Sequence, residues 1–77
     1  MREGLGGPRR LPYQITYHMR GDIRIETAAA DTASVALSVI EELERLNDIV
    51  DEIIAPDGQR MRIYQLMIAA DREKRSR

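Results

Sequence analysis

Between Tyr13 and Leu46 the apolar residues change their period once, from two to about three and a half, and this change limits the possible folds more than any other feature. Tyr13-Gln-Ile-Thr-Tyr-His-Met19 alternates strictly. Tyr13, Ile15, Tyr17 and Met19 therefore share one face of an extended chain, and Gln14, Thr16 and His18 the other, as in a half-buried strand. Ile23-Arg-Ile-Glu-Thr27 alternates again, and the intervening Arg20-Gly21-Asp22 is rich in turn residues, so the two segments read as a β-hairpin. Residues directly opposite each other in a sheet share a face. A three-residue loop would set Met19 against Ile23 and Tyr17 against Ile25, whereas a two-residue loop would oppose Tyr17 to Arg24 or Glu26. Matching apolar to apolar favours the three-residue loop.

After Ala28-Ala29-Ala30, Asp31 or Thr32 can cap a helix in which Val35, Val39, Leu43 and Leu46, with Ala36 and Ile40 beside them, recur at three-and-four spacing. Glu41, Glu42, Glu44 and Arg45 take the opposite side, and Asn47 suits the left-handed position that ends a helix. Asp48-Ile-Val-Asp-Glu-Ile-Ile-Ala55 is rich in β-branched residues and stops at Pro56-Asp57-Gly58, which predicts a third strand and a turn. Its apolar residues come in adjacent pairs, Ile49 with Val50 and Ile53 with Ile54, so a regular strand here would show apolar side chains on both faces. Gln59 to Arg62 reads as a short fourth strand. Residues 63–71 fit either a continuation of that strand or a helix, and Leu, Met, Ala, Glu, Lys and Arg from position 66 onward favour the helix.

These elements predict an α+β domain in the order ββαβ(β)α: a small antiparallel sheet of three to four strands packed against one long helix, with a C-terminal helix after it. Tyr13, Ile15, Tyr17, Met19, Ile23, Ile25, Val35, Val39, Ile40, Leu43 and Leu46 are its expected core. Residues 1–12, with Gly4, Gly6, Gly7, Pro8 and Pro12, read as a flexible arm, 13–71 as the domain, and 72–77 as a basic tail that frays.

At 77 residues and 43% apolar content the chain holds one core, of a size where burial only narrowly exceeds the entropy of ordering. The lack of cysteine removes disulfides and thiol chemistry and suits a reducing compartment. Without an apolar leader or membrane-length run, a cytoplasmic location with no membrane contact is the expectation. The net charge of -1 conceals a pattern. Residues 1–30 carry five basic and three acidic groups, residues 31–58 one and eight, and residues 59–77 six and two.

Little in this pattern points to catalysis. His18 is the single histidine and falls on the polar face of the first strand, without a local metal-ligand spacing. Glu41, Glu42, Glu44, Asp48, Asp51, Glu52 and Asp57 are divided between two elements rather than converging as hard-cation ligands do, and Glu41 with Arg45 at i,i+4 reads as helix-surface pairing. Ser34 and Ser38 have no base placed by the sequence to activate them. The Gly4–Gly7 region lacks the strand and Gly-Lys-Ser/Thr of a phosphate loop. Arg20-Gly21-Asp22, an adhesion tripeptide elsewhere, is explained by the turn. No catalytic residue, metal or cofactor is expected.

The leading expectation is a non-enzymatic interaction domain that forms a homodimer, or meets another protein, through Ile49, Val50, Ile53, Ile54, Tyr64, Met67 and Ile68, which exceed what a one-sided sheet and one helix cover. A bulge in the third strand, or a C-terminal helix beside the first, would absorb the same residues. The alternative is a nucleic-acid-associated regulator contacting phosphate through Arg9, Arg10, Arg20, Arg24, Arg72, Lys74 and Arg75. It lacks a helix-turn-helix or an aromatic stacking platform. A third is a small enzyme whose site forms between subunits, with His18 and a carboxylate as acid and base.

Overall fold

The strict alternation of the first segment forms strand β1, Tyr13–Met19. The computed structural model describes residues 11–76 and continues with β2 Glu26–Ala30, α1 Ala33–Arg45, β3 Asp48–Ile54, β4 Arg60–Met61 and α2 Ile63–Arg75. The four strands make one antiparallel sheet in the order β2-β1-β3-β4. Both helices contribute to the single core on one face, so the domain is the expected small α+β fold. Residues 1–10, most of the predicted arm, lie outside the described residues. Residues 72–75, assigned to the tail, continue α2 as far as the cap at Ser76.

The hairpin register differs from the apolar-matching expectation. Tyr17 lies opposite Glu26, Ile15 opposite Ala28 and Tyr13 opposite Ala30, so the three-residue loop is wrong. Met19 carbonyl accepts from the Asp22 N–H at 2.9 Å and Gly21 takes φ 88, so the turn sits where it was read, but Ile23 and Ile25 lie in the connection rather than in β2. The cause is α1. Only Asp31 and Thr32 separate β2 from Ala33, so the first turn of the helix lies directly over the end of β2. Ala28 and Ala30 facing it let the helix settle close, where isoleucines would hold it off. Ala30, Ala33 and Ala36 are all buried.

The helix stripe shifts for the same reason. The buried positions of α1 are Ala33, Ala36, Ile40 and Leu43, whereas Val35 and Leu46, expected in the core, are 48% and 57% exposed. Met19, Ile23 and Ile25 are likewise exposed, against expectation, and Tyr13, Tyr17 and Val39 are half-buried against the core. The helix ends behave as read. Thr32 Oγ1 accepts from the Val35 N–H at 3.1 Å, and Asn47 adopts φ 65 just beyond the Leu46 cap.

A bulge resolves the doubly apolar third strand. Thr16 pairs with Glu52 but Tyr17 with Val50, so Asp51 is the extra residue of β3. The step changes facing: Ile53 opposite Ile15 and Val50 opposite Tyr17 both turn to the core, while Ile54 opposite Gln14 and Ile49 opposite His18 turn to the other face. Gly58 at φ 89 closes the turn into β4, its N–H donating to Ala55 O at 2.9 Å. The ambiguous segment is helical and packs beside α1, with Leu66 and Ala70 buried.

An acid from α2 completes the start of α1, which has none in its own first turn. The Ala33 N–H donates to Glu73 Oε2 at 2.7 Å and the Ser34 N–H to Oε1 at 3.0 Å. One carboxylate thus satisfies two of the four N–H groups every helix leaves open, and its charge complements the helix dipole. Glu73→Ala is expected to lower the unfolding free energy by about 1–2 kcal/mol, and Glu73→Gln, which keeps one acceptor, by less. Urea midpoints of the two variants check this ordering; a Glu73→Gln midpoint equal to that of the parent chain would show that the carboxylate adds nothing beyond packing.

Candidate interaction surfaces

Putting small residues in the core puts large ones outside. Five large aliphatic side chains are buried, Ile15, Ile40, Leu43, Ile53 and Leu66, whereas ten large apolar side chains of the described residues are exposed: Leu11, Met19, Ile23, Ile25, Val35, Leu46, Ile63, Tyr64, Met67 and Ile68. Scattered apolar residues on a surface are ordinary, but contiguous ones mark contact sites. Two contiguous sets follow from the elements themselves. Tyr64, Met67 and Ile68 share the side of α2 turned from Leu66, and Ile63, one turn before Leu66, is exposed at the start of the helix. Val35, half-buried Val39 and Leu46 line the flank of α1 opposite the Ser34–Leu37–Ser38–Glu41 side, which forms a groove with Met67 and Ala70 of α2. Because α2 occupies that groove side, the Val35 flank looks toward the β2 edge of the sheet.

The residues expected to make contacts are divided by the bulge. Val50 and Ile53 are taken into the core, Ile49 and Ile54 lie half-buried on the face of the sheet away from the helices, and Tyr64, Met67 and Ile68 are exposed on α2. Val35, Leu46, Ile23 and Ile25 were missed as surface candidates because a helix stripe and an alternating strand were assumed to bury them. The signal that could have found them is the set of alanines at 28, 30, 33 and 36, small residues in positions a core would otherwise fill with isoleucine or leucine.

The sheet face away from the helices is mainly polar. His18 Nδ1–H donates to Asp51 Oδ2 at 2.8 Å, a pairing made possible by the bulge at Asp51. Glu52 beside it pairs with Arg60 Nε at 2.6 Å. The carboxylate that His18 was expected to need for acid-base work is therefore present, and it orients the ring. Asp51 lines two of the principal clefts, with Glu52, Ile53, Met61 and Arg62, but His18 lines none of them, and catalysis requires a concave site around both members of such a pair. Arg45 pairs with Glu42, three residues away, rather than with Glu41. Among the described residues no group of three or more His, Cys, Asp or Glu side chains could hold a metal ion, and no helix is long and apolar enough to cross a membrane.

The candidate phosphate contacts are separated by the fold. Arg20 and Arg24 lie in the β1–β2 connection, at one end of the sheet, and Arg24 is 3.7 Å from Asp22. Arg72, Lys74 and Arg75 lie in the last turns of α2, which Glu73 ties to the start of α1 at the other end, and Arg75 pairs with Asp71 at 3.0 Å. Arg9 and Arg10 fall outside the described residues. Set against known proteins, the chain matches no family model, no curated protein and no solved structure.

Proposed function

We propose that this chain is a non-enzymatic interaction domain that works by self-association, as a homodimer. The observation that carries the reading is the inverted distribution of its apolar side chains, with alanines in the core and, among the described residues, twice as many large apolar residues exposed as buried. A domain of this length draws little stability from its own core, and a second subunit is one of the few ways to add more. Each large aliphatic side chain transferred from water into an interface contributes about 1.5–3 kcal/mol, so a few of the ten would suffice. A cytoplasmic setting agrees with a cysteine-free chain.

Sedimentation equilibrium at micromolar concentration is expected to give twice the 8.8 kDa chain mass. A clean 8.8 kDa species across the concentration range sinks the reading. The enzyme reading keeps one specific observation, the His18–Asp51 pair, and the nucleic-acid reading loses support from the scatter of its basic residues. Neither gives a use to the exposed apolar side chains.

A further inference from the structure

The two edges of the sheet are built differently. At one edge β4 is only two residues long, carries the Arg60–Glu52 ion pair and runs straight into α2, so it offers little backbone to another strand. At the other edge β2, Glu26-Thr-Ala-Ala-Ala30, runs for five residues. Apart from the charge of Glu26 at its first position, it has none of the devices that protect an edge: no proline, no lysine, no bulge and no covering element among the described residues. Its outer N–H and C=O groups form a ready hydrogen-bonding ladder, and its side chains are small enough for another backbone to approach.

We infer that the homodimer forms at this edge, β2 pairing antiparallel with β2 of the partner subunit about a two-fold axis near Ala28, so that one sheet of eight strands runs through both subunits. The inference rests on the self-association proposed above and gives it an address. A second copy is the occupant because the surface is self-complementary. The one charge of β2 is Glu26 at its first position. Antiparallel pairing centred on Ala28 sets Glu26 against Ala30 of the partner subunit, whereas a parallel arrangement would set the two acids side by side. The same pairing brings Arg24 toward Asp31 of the partner subunit, at both ends of the ladder.

The layer above is complementary too. α1 packs over β2 and β1 as well as β3, and its Val35–Val39–Leu46 flank looks toward the β2 edge. Strands pair about 4.8 Å apart, so joining the sheets at β2 brings the two α1 helices within side-chain reach and covers Val35 and Leu46. Ile23 and Ile25, 95% and 57% exposed next to β2, then lie alongside the first turn of the partner's helix. A specific interface requires about 600 Å² from each partner, roughly a tenth of the 5870 Å² surface. Five strand residues and these side chains are enough to supply it.

The test uses two charge pairs and a cysteine scan in the whole chain. Val35→Lys with Leu46→Lys is expected to raise the dimer dissociation constant at least about a hundredfold in sedimentation velocity, while Tyr64→Lys with Met67→Lys leaves it unchanged. Because the chain has no cysteine, single Thr27→Cys, Ala28→Cys and Ala29→Cys variants report the strand pairing directly. Mild oxidation should link two chains most readily at Ala28→Cys, whether or not the lysine variants fold. A dimer lost only with the Tyr64/Met67 pair, with no cross-link along β2, overturns the edge inference and leaves self-association standing. A monomeric parent chain overturns both.

Discussion

Leu66→Ala is expected to destabilise the domain by about 3 kcal/mol, within the 2–5 kcal/mol typical of emptying a buried leucine site, and to lower the thermal midpoint by about 12–24 °C. Leu66 is fully buried and, among the described residues, is one of only two large side chains with that status, the other being Ile15. It holds α2 to the common core, and α2 in turn supplies Glu73 to the start of α1. Losing the leucine therefore loosens both the helix pairing and the cap, with little room for the site to collapse around short alanine neighbours. Total stabilities of small domains are about 5–15 kcal/mol, so this variant should be partly unfolded near body temperature. Thermal melts at one fixed protein concentration check it, since dimerisation makes the midpoint concentration-dependent. Tyr64→Ala, on the exposed side of the same helix, should shift the midpoint by no more than a few degrees. Equal shifts for the two variants would show that α2 does not dock through Leu66.

Ala36→Leu carries the second large effect, and its sign runs against local propensity. Alanine and leucine are both among the best helix formers, so an isolated α1 would barely notice the exchange. In the folded chain Ala36 is fully buried, one turn from fully buried Ala33 and close to buried Ala30 at the end of β2. The extra side chain has nowhere to go without lifting α1 from the sheet, which is expected to cost about 1–3 kcal/mol. The same leucine at exposed Glu41 should be almost neutral. Urea titrations of the two variants distinguish the Ala33–Ala36–Ile40–Leu43 stripe from the one that period counting favours. If Ala36→Leu stabilised the domain, α1 would have to be rotated toward Val35 and Leu46.

Much of the candidate interaction surface was legible as residues but not as places. Tyr64, Met67 and Ile68 could be seen to exceed a one-helix core, and they do lie exposed. Val50 and Ile53 belonged to the same surplus and went into the core, because one extra residue at Asp51 reverses facing halfway along β3. The adjacent apolar pairs Ile49–Val50 and Ile53–Ile54 allow a bulge without placing it, and it falls at Asp51 because β1 keeps odd-numbered residues toward the core at both ends of the ladder. The edge of β2 was hidden for a related reason. Ala28 to Ala30 look like a weak strand until α1 lies on them.

The sequence by itself determined the order of the elements, the turns at Gly21 and Gly58, a helix cap at Asp31 or Thr32 and the Asn47 stop. Each depends on a few neighbouring residues and on backbone geometry that those residues alone restrict. Tertiary structure alone decided the hairpin register, the position of the bulge, the buried side of α1 and the Glu73 bridge between the helices. Period counting ranks positions by hydrophobicity, whereas close packing selects by shape. Where a helix must lie directly on a strand, alanine takes the inside position, and the isoleucines, valine and leucine that would hold the layers apart are left on the surface.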